Sequence, residues 1–195
     1  MFLKEITKDQ INLLPLIRFE GDIELIDTKE KLAGAISALY KHEHLGFDTE
    51  TRPAFVKGVF YSVSLVQIAI PEKVYLFRLN LLGLDPRLAN LFSDPAIKKI
   101  GISIRDDIKA LQKLAPFEPG SFIDLNNIAQ ELEVKHEGVR SLTAIFLEGR
   151  ISKNQQTSNW DKEQLSEPQM RYAATDAWIC LEIYRKLSRG GFLDN

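Results

Sequence analysis

Apolar positions recur along this chain with two periods, near 3.6 and near 2, and the switches between them mark out its elements. Thr7-Lys8-Asp9-Gln10 has the form of a capping box, and Leu13-Leu14-Pro15 closes the short helix it opens. That first segment is expected to pack on the flank of the fold. Ile23-Glu24-Leu25-Ile26 alternates as a strand, and Leu32, Ile36 and Leu39 share one face of a helix that Thr28 caps and that runs to about Lys41. A core strand ends at Gly46-Phe47-Asp48-Thr49-Glu50, before the turn-prone Thr51-Arg52-Pro53. Ser62 to Ile70 and Lys73 to Leu79, parted by Pro71-Glu72, alternate as neighbouring strands of an antiparallel meander.

Asp85-Pro86 opens a helix through Phe92, and Asp94-Pro95 breaks the chain. Ile100, Ile102 and Ile104 alternate over Lys98 to Ile104, ahead of a helix from about Arg105 to Leu114. Phe122 to Leu125 reads as a last short strand, with helices near Asn126 to Leu132 and Ser141 to Leu147. Gly149 to Asn159 has the polar composition of a mobile loop. Ser166-Glu167-Pro168 then opens the longest helix, to about Leu187. Antiparallel strands followed by helix–strand alternation predict an α/β fold, a mixed sheet with helices on both faces. No stretch reads as a linker, so one domain is expected over 1–195, with a flanking segment at 1–22 and a core at 23–188.

Composition narrows the class. With 195 residues, 45% of them hydrophobic, the chain can bury a substantial core. A net charge of −2 is not the footprint of a protein held on nucleic acid by phosphate contacts alone, although clustered acids offset by a local basic rim remain compatible with a nuclease. A single cysteine, Cys180, excludes an internal disulfide, favours a reducing compartment and sits in an apolar helical pattern suited to the core. His42, His44 and His136 lack zinc-site spacing. No apolar run is long enough to span a bilayer, and no signal-type h-region follows Met1, so a cytoplasmic protein without membrane partners is expected.

The informative residues are acids in awkward places. Asp48 and Glu50, two apart on a strand, leave the same face. Such a pair suits a solvated strand face. At the end of a core strand, however, the two charges repel, and a hard divalent cation relieves the conflict. Asp106 and Asp107 open a helix whose apolar face is Ile108, Leu111, Leu114 and Ala115. Asp106 points away, in a Ser103-x-x-Asp106 capping pattern, whereas Asp107 is aimed toward the sheet. Tyr172, Asp176, Ile179, Ile183 and Leu187 follow one helical stripe, so burying Asp176 requires a partner such as a metal already held by Asp48 and Glu50.

With these residues in hand, the chain resembles the DEDDy 3′–5′ exonucleases, the ribonuclease D and Werner-syndrome exonuclease group. The likeness lies in Gly46-Phe47-Asp48-Thr49-Glu50, in Gly101 through Asp107 to Leu111, and in Ser158-Asn159-Trp160, Leu165 to Gln169 and Tyr172-Ala-Ala-Thr-Asp176-Ala177. It implies a ribonuclease H-like three-layer fold and two divalent cations, Mg²⁺ or Mn²⁺, on the four acids. Asp48, Glu50 and Asp176 would hold the first, Asp48 would bridge to the second, and Asp107 would contribute through a water shell. Tyr172 would orient the attacking water. The implied partner is nucleic acid with a free 3′ end, DNA being favoured by the third motif, and the products are nucleoside 5′-monophosphates. The alternatives are ribonuclease D-like RNA trimming and a silent binding module of the same fold.

Relatives often place a bulky residue directly after the D-x-E pair, where it wedges the terminal base. This chain has Thr51 there. Phe55 and Phe60 read first as packing residues and second as substitutes for the wedge. Thr49, Thr51, Arg52, Lys57, Trp160 and Arg171 are candidate substrate contacts, as is Lys153.

Overall fold

The computed structural model describes residues 2–193. Met1, Asp194 and Asn195, the outermost residues of the domain expected over 1–195, lie outside them. In chain order the elements are α1 (Lys8–Leu13), β1 (Asp22–Ile26), α2 (Lys29–Leu39), β2 (His44–Thr51), β3 (Val63–Ile70), β4 (Lys73–Arg78), α3 (Leu79–Leu82) and α4 (Pro86–Ser93). They continue as β5 (Lys98–Gly101), α5 (Arg105–Gln112), β6 (Phe122–Asp124), α6 (Leu125–Glu131), α7 (Val139–Leu147) and α8 (Glu167–Arg189). The six strands form one mixed sheet in the order β1-β4-β3-β2-β5-β6. β4, β3 and β2 are antiparallel neighbours, while β1 joins β4, β5 joins β2 and β6 joins β5 in parallel.

The period-2 alternation of β2 sorts its side chains to two layers. Leu45 and Phe47 join a core with Leu32, Ile36 and Leu39 of α2, Leu88 and Phe92 of α4 and Leu111 of α5. Gly46, Asp48 and Glu50 face the other way, toward α8. That helix approaches very closely: a Cβ built on Gly46 would stand 2.1 Å from the Ala177 carbonyl oxygen. Ala173, Ala174 and Ala177 line the same contact and are fully buried. Small side chains on the helix, and none at Gly46, let the two backbones meet. α6 and α7 extend this second layer through a core with Ile179, Ile183 and Leu187.

Local signals held at the capping box of α1, framed by Thr7 and Gln10, and at Ser166, which opens α8 and there completes a second box with Gln169. The segment between α1 and β1 is tied to Arg150 and to the start of α8. Ile17 N–H donates to Arg150 O at 2.9 Å, Phe19 N–H donates to Thr175 Oγ1 at 3.1 Å, and Arg171 Nη1 donates to Phe19 O at 3.0 Å.

Four expectations need correction. The meander does not show one wet face, because β3 is buried at every position, Ser64 and Gln67 included, between α8 and the opposite helices. β5 stops at Gly101 rather than running to Ile104: Ser103 turns to φ 60°, and Asp124 Oδ1 and Oδ2 accept from the amides of Ser103 and Ile104. Ser103 therefore does not cap α5, whose N-cap is Ile104, and Asp106 instead pairs with Lys109 at 3.2 Å in solvent. Leu79, expected as the end of a strand, instead opens the short α3 over Leu79–Leu82. Among the described residues no helix is long and apolar enough to cross a membrane.

Gly46→Ala is expected to cost about 1–3 kcal/mol, since the methyl must displace helix backbone rather than a flexible side chain. Urea unfolding measures it. A variant with an unchanged midpoint would mean that α8 can slide away freely.

Candidate active site

β2 carries Asp48 and Glu50 to the sheet surface at its C-terminal end, and the register with β3 shifts between Glu50 and Thr51, which makes the last pair of the ladder with Val63. The extra residue, Ser64, belongs to β3, so the irregularity beside the second acid is carried by the partner strand. α8 supplies Asp176, one residue before the Ala177 contact with Gly46. Carboxylate oxygens of Asp48, Glu50 and Asp176, one from each, all lie within 4.8 Å of one another. Asp176 is 6% exposed, and its Oδ1 has no hydrogen-bond partner. Tyr172 sits one turn earlier on the same helix, with its ring 6.1 Å from that of Trp160.

Burial and mutual repulsion govern the ionisation of this group. The Asp48 carboxyl is held well above the usual carboxylate range, first by burial and then by the charges of Asp176 and Asp107. Glu50 is pushed up to about 10 by burial, with Asp48 and Asp176 adding to the effect. Asp176 rises to about 7 by burial, tempered by the Tyr172 hydroxyl and by Lys153. Burial and the neighbouring acids raise the Tyr172 phenol too, so it keeps its proton at neutral pH.

Asp107 stands outside the three-carboxylate group, at the start of α5. Thr49, on the opposite face of β2 from its two neighbours, donates its hydroxyl to Asp107 Oδ1. Burial also raises the Asp107 carboxyl. The aspartate thus lies close to the cluster while being steered from below the strand. Cys180 is a core residue, donating its thiol to Asp176 O at 3.2 Å.

Residues 23–190 match a family model described as 3′-5′ exonuclease. The chain belongs to the 3′-5′ exonuclease family. Its sequence is similar to the human Exonuclease mut-7 homolog, at 30% identity over 93% of this chain and 24% of that protein. It is also similar to mouse WRN, a bifunctional 3′-5′ exonuclease/ATP-dependent helicase, at 31% over 91% of this chain and 13% of that one. Ribonuclease D of Gluconacetobacter diazotrophicus is 29% identical over 89% of this chain and 45% of its own length. The chain thus spans about a quarter or less of mut-7 and WRN. The Aedes aegypti Nibbler EXO domain superposes with a TM-score of 0.79 at 26% identity, covering 89% of this chain and 93% of that one. The catalytic core of RRP6 from Trypanosoma brucei shares the fold, with a TM-score of 0.79 at 20% identity. The architecture is the ribonuclease H-like fold of these exonucleases.

The periphery of the candidate site departs from expectation at several positions. Trp160, a candidate substrate contact, is fully buried and forms the floor behind Tyr172. The Arg171 guanidinium, a candidate phosphate contact, is consumed by Phe19 O, Gly21 O and Glu167 Oε1. Thr49 spends its hydroxyl on Asp107. Thr51 and Lys57 are exposed, and Arg52 lies with its guanidinium carbon 4.6 Å from the centre of the Tyr61 ring. Phe55 and Phe60, read first as packing residues, are 84% and 90% exposed.

Two contributors were overlooked in the sequence. Asp124, on the neighbouring strand β6, locks the turn before α5 from about twenty residues on in the chain, with no local signal. Gln67 did carry a signal, as a lone amide in an apolar strand. It pairs across the ladder with Asp48, is fully buried, and neither its Nε2 nor its Oε1 has a partner.

The donor set fits a hard divalent cation. It consists of oxygen only, its like charges are crowded, and it includes a buried oxygen without a partner. Without such a cation, the raised carboxyls bind protons in the folded state that the unfolded chain releases. Stability should therefore fall as pH rises from about 4, the ordinary carboxylate value, through the Asp176 value of about 7. In chelator at pH 8, Asp176→Asn should stabilise the fold by at least about 1.4 kcal/mol, the equivalent of one pKa unit. Thermal melts across pH, with and without Mn²⁺, check this. A metal-free wild type as stable at pH 8 as at pH 5 would contradict it.

Proposed function

We propose that this chain is a metal-dependent 3′–5′ exonuclease of the DEDDy type, which hydrolyses the terminal phosphodiester of a nucleic acid and releases nucleoside 5′-monophosphates. The observation that supports it best is the meeting of Asp48, Glu50 and Asp176 within 4.8 Å. Tyr172 stands one helical turn away, and Asp107 is steered in by Thr49. Asp48, Glu50 and Asp176 would hold one Mg²⁺ or Mn²⁺ directly, and Asp48 with Asp107 would serve a second. Cations bound there lower the pKa of a coordinated water and neutralise charge on the attacking and leaving oxygens.

The protein's own groups take the remaining tasks. The Tyr172 phenol stays protonated at neutral pH and so is no general base. It orients the attacking water by hydrogen bonding. Burial of Trp160 against the back of the ring fixes where the phenol points. Exposed Lys153 brings positive charge toward Asp176, where substrate phosphate would arrive. DNA is the favoured polymer, on the likeness of Ser158 through Ala177 to the Werner-type exonucleases. RNA trimming is the second reading, favoured by nearly equal identity to a ribonuclease D.

Asp48→Ala and Asp176→Asn are expected to abolish Mg²⁺- or Mn²⁺-dependent laddering of a 5′-labelled oligonucleotide. Tyr172→Phe should slow it by about a hundredfold while leaving Mn²⁺ binding intact. Single-stranded DNA, recessed duplex and RNA, run side by side with a chelator control, identify the polymer. Undiminished laddering in either aspartate variant would refute the assignment.

A further inference from the structure

β2 does not hand the chain straight back to β3. After Glu50 and the exposed Thr51 the backbone makes an excursion over residues 52–62 before β3 begins at Val63. The excursion is ordered at both levels. Val59 N–H donates to Val56 O at 3.2 Å, closing a turn with Gly58 at φ 84°, the conformation a type II turn demands of its third residue. Arg52 packs its guanidinium on the Tyr61 ring and ties the two ends together.

What this turn displays is unusual for a solvated surface. Phe55 is 84% exposed, Val56 67% and Phe60 90%, with Lys57 at the tip between them. Isolated exposed apolar residues need no explanation, but large ones clustered on a single loop mark a contact surface. Beside them runs a groove of about 320 Å³ between the loop (Arg52, Phe55, Val59, Tyr61) and Thr157 and Asn159. Both walls join the catalytic cluster: the first begins two residues after Glu50, and the second leads directly into Trp160 behind Tyr172.

We propose that this groove and the loop at its edge hold the unpaired stretch of nucleic acid leading to the 3′ end. Phe55 and Arg52 meet a base and a phosphate in the groove, and Phe60 and Lys57, on the same loop outside its lining, meet the strand beyond it. Aromatic faces interleaved with cations are what a single strand requires, because every base offers a π-face and every linkage a charge. A duplex hides those faces in its own stack. The loop would thus select unpaired ends and supply the base contact that Thr51 cannot make. This rests on the exonuclease reading above and adds to it the form of the substrate.

The test is equilibrium binding of fluorescein-labelled oligonucleotides, made resistant to cleavage by 3′-terminal phosphorothioates, to the wild type and to Phe55→Ser/Phe60→Ser. Both side chains are exposed, so melting temperature should hold. Affinity for a short single strand should fall about tenfold or more, at roughly 1–3 kcal/mol per lost stack. Affinity for a blunt duplex should stay within about twofold, less than a single lost stack. Unchanged single-strand affinity, or an equal loss on duplex, would overturn the proposal. So would a wild-type dimer that the double variant dissolves in sedimentation, which would assign the patch to a second copy of the chain. A wild type that neither binds nor shortens any oligonucleotide would instead fail the exonuclease reading itself.

Discussion

The backbone of α8 lies against β2 at a single point, where Gly46 meets the Ala177 carbonyl with no side chain between them. The geometry of the carboxylate cluster is measured from that point. Asp48 stands two residues along the strand and Asp176 one residue back along the helix, so the spacing of their carboxylates follows from how closely the two elements pack. A strand and a helix normally stand about 10 Å apart, the separation of packed layers. Here alanines at 173, 174 and 177 and the glycine at 46 remove the intervening bulk. The small residues of the motif are therefore as much part of the site as the acids: they set the distance, and the acids use it.

That distance is unfavourable for the folded protein alone. Three carboxylates within 4.8 Å, one nearly buried, oppose folding wherever they are ionised. Protonation relieves the strain at low pH, and a divalent cation relieves it at neutral pH, so the same crowding that weakens the metal-free fold becomes affinity for the metal. The surrounding groups are arranged consistently with this. Neither Gln67, across from Asp48, nor Trp160 Nε1 has a hydrogen-bond partner, and Asp176 Oδ1 has none either. Unsatisfied polar atoms are concentrated on the α8 side of the sheet, where the cluster is, rather than scattered through the core. That is the pattern expected where stability is traded for a reactive site.

Much of this was legible in residue order because it depends on local chemistry. The capping boxes at Thr7 and Ser166 involve partners three residues apart, and the periodicity of one helix suffices to send Asp107 toward the sheet and Asp106 to solvent. The stripe from Tyr172 to Leu187 likewise required only 3.6-residue spacing. What failed involved distant partners. Ile102 and Ile104 alternate as a strand should, yet Asp124, twenty residues on, captures the amides beside them and bends the chain into α5. Trp160 and Arg171 have the chemistry of substrate contacts, but the fold encloses one and ties down the other. Periodicity says which residues share a face. It does not say whether another element covers that face, and so Phe55 and Phe60 were read as buried when nothing lies over them.

The division between rigid and displayed parts follows from the same geometry. Residues that must hold position to a fraction of an ångström are on β2, α5 and α8, where ladder and helix hydrogen bonds fix them. Residues proposed to meet a polymer of variable sequence are on the excursion after β2, which starts once Thr51 has made the last pair of the ladder with Val63. A flat continuation of β2 would have kept pairing with β3 and left the site without a second wall. Because the ladder ends one residue beyond the last acid, at Thr51 and Val63, a single strand holds the fixed pair of carboxylates and leads straight into an exposed aromatic loop beside them. The chain can therefore change what it displays to a substrate without disturbing the packing that sets the acids.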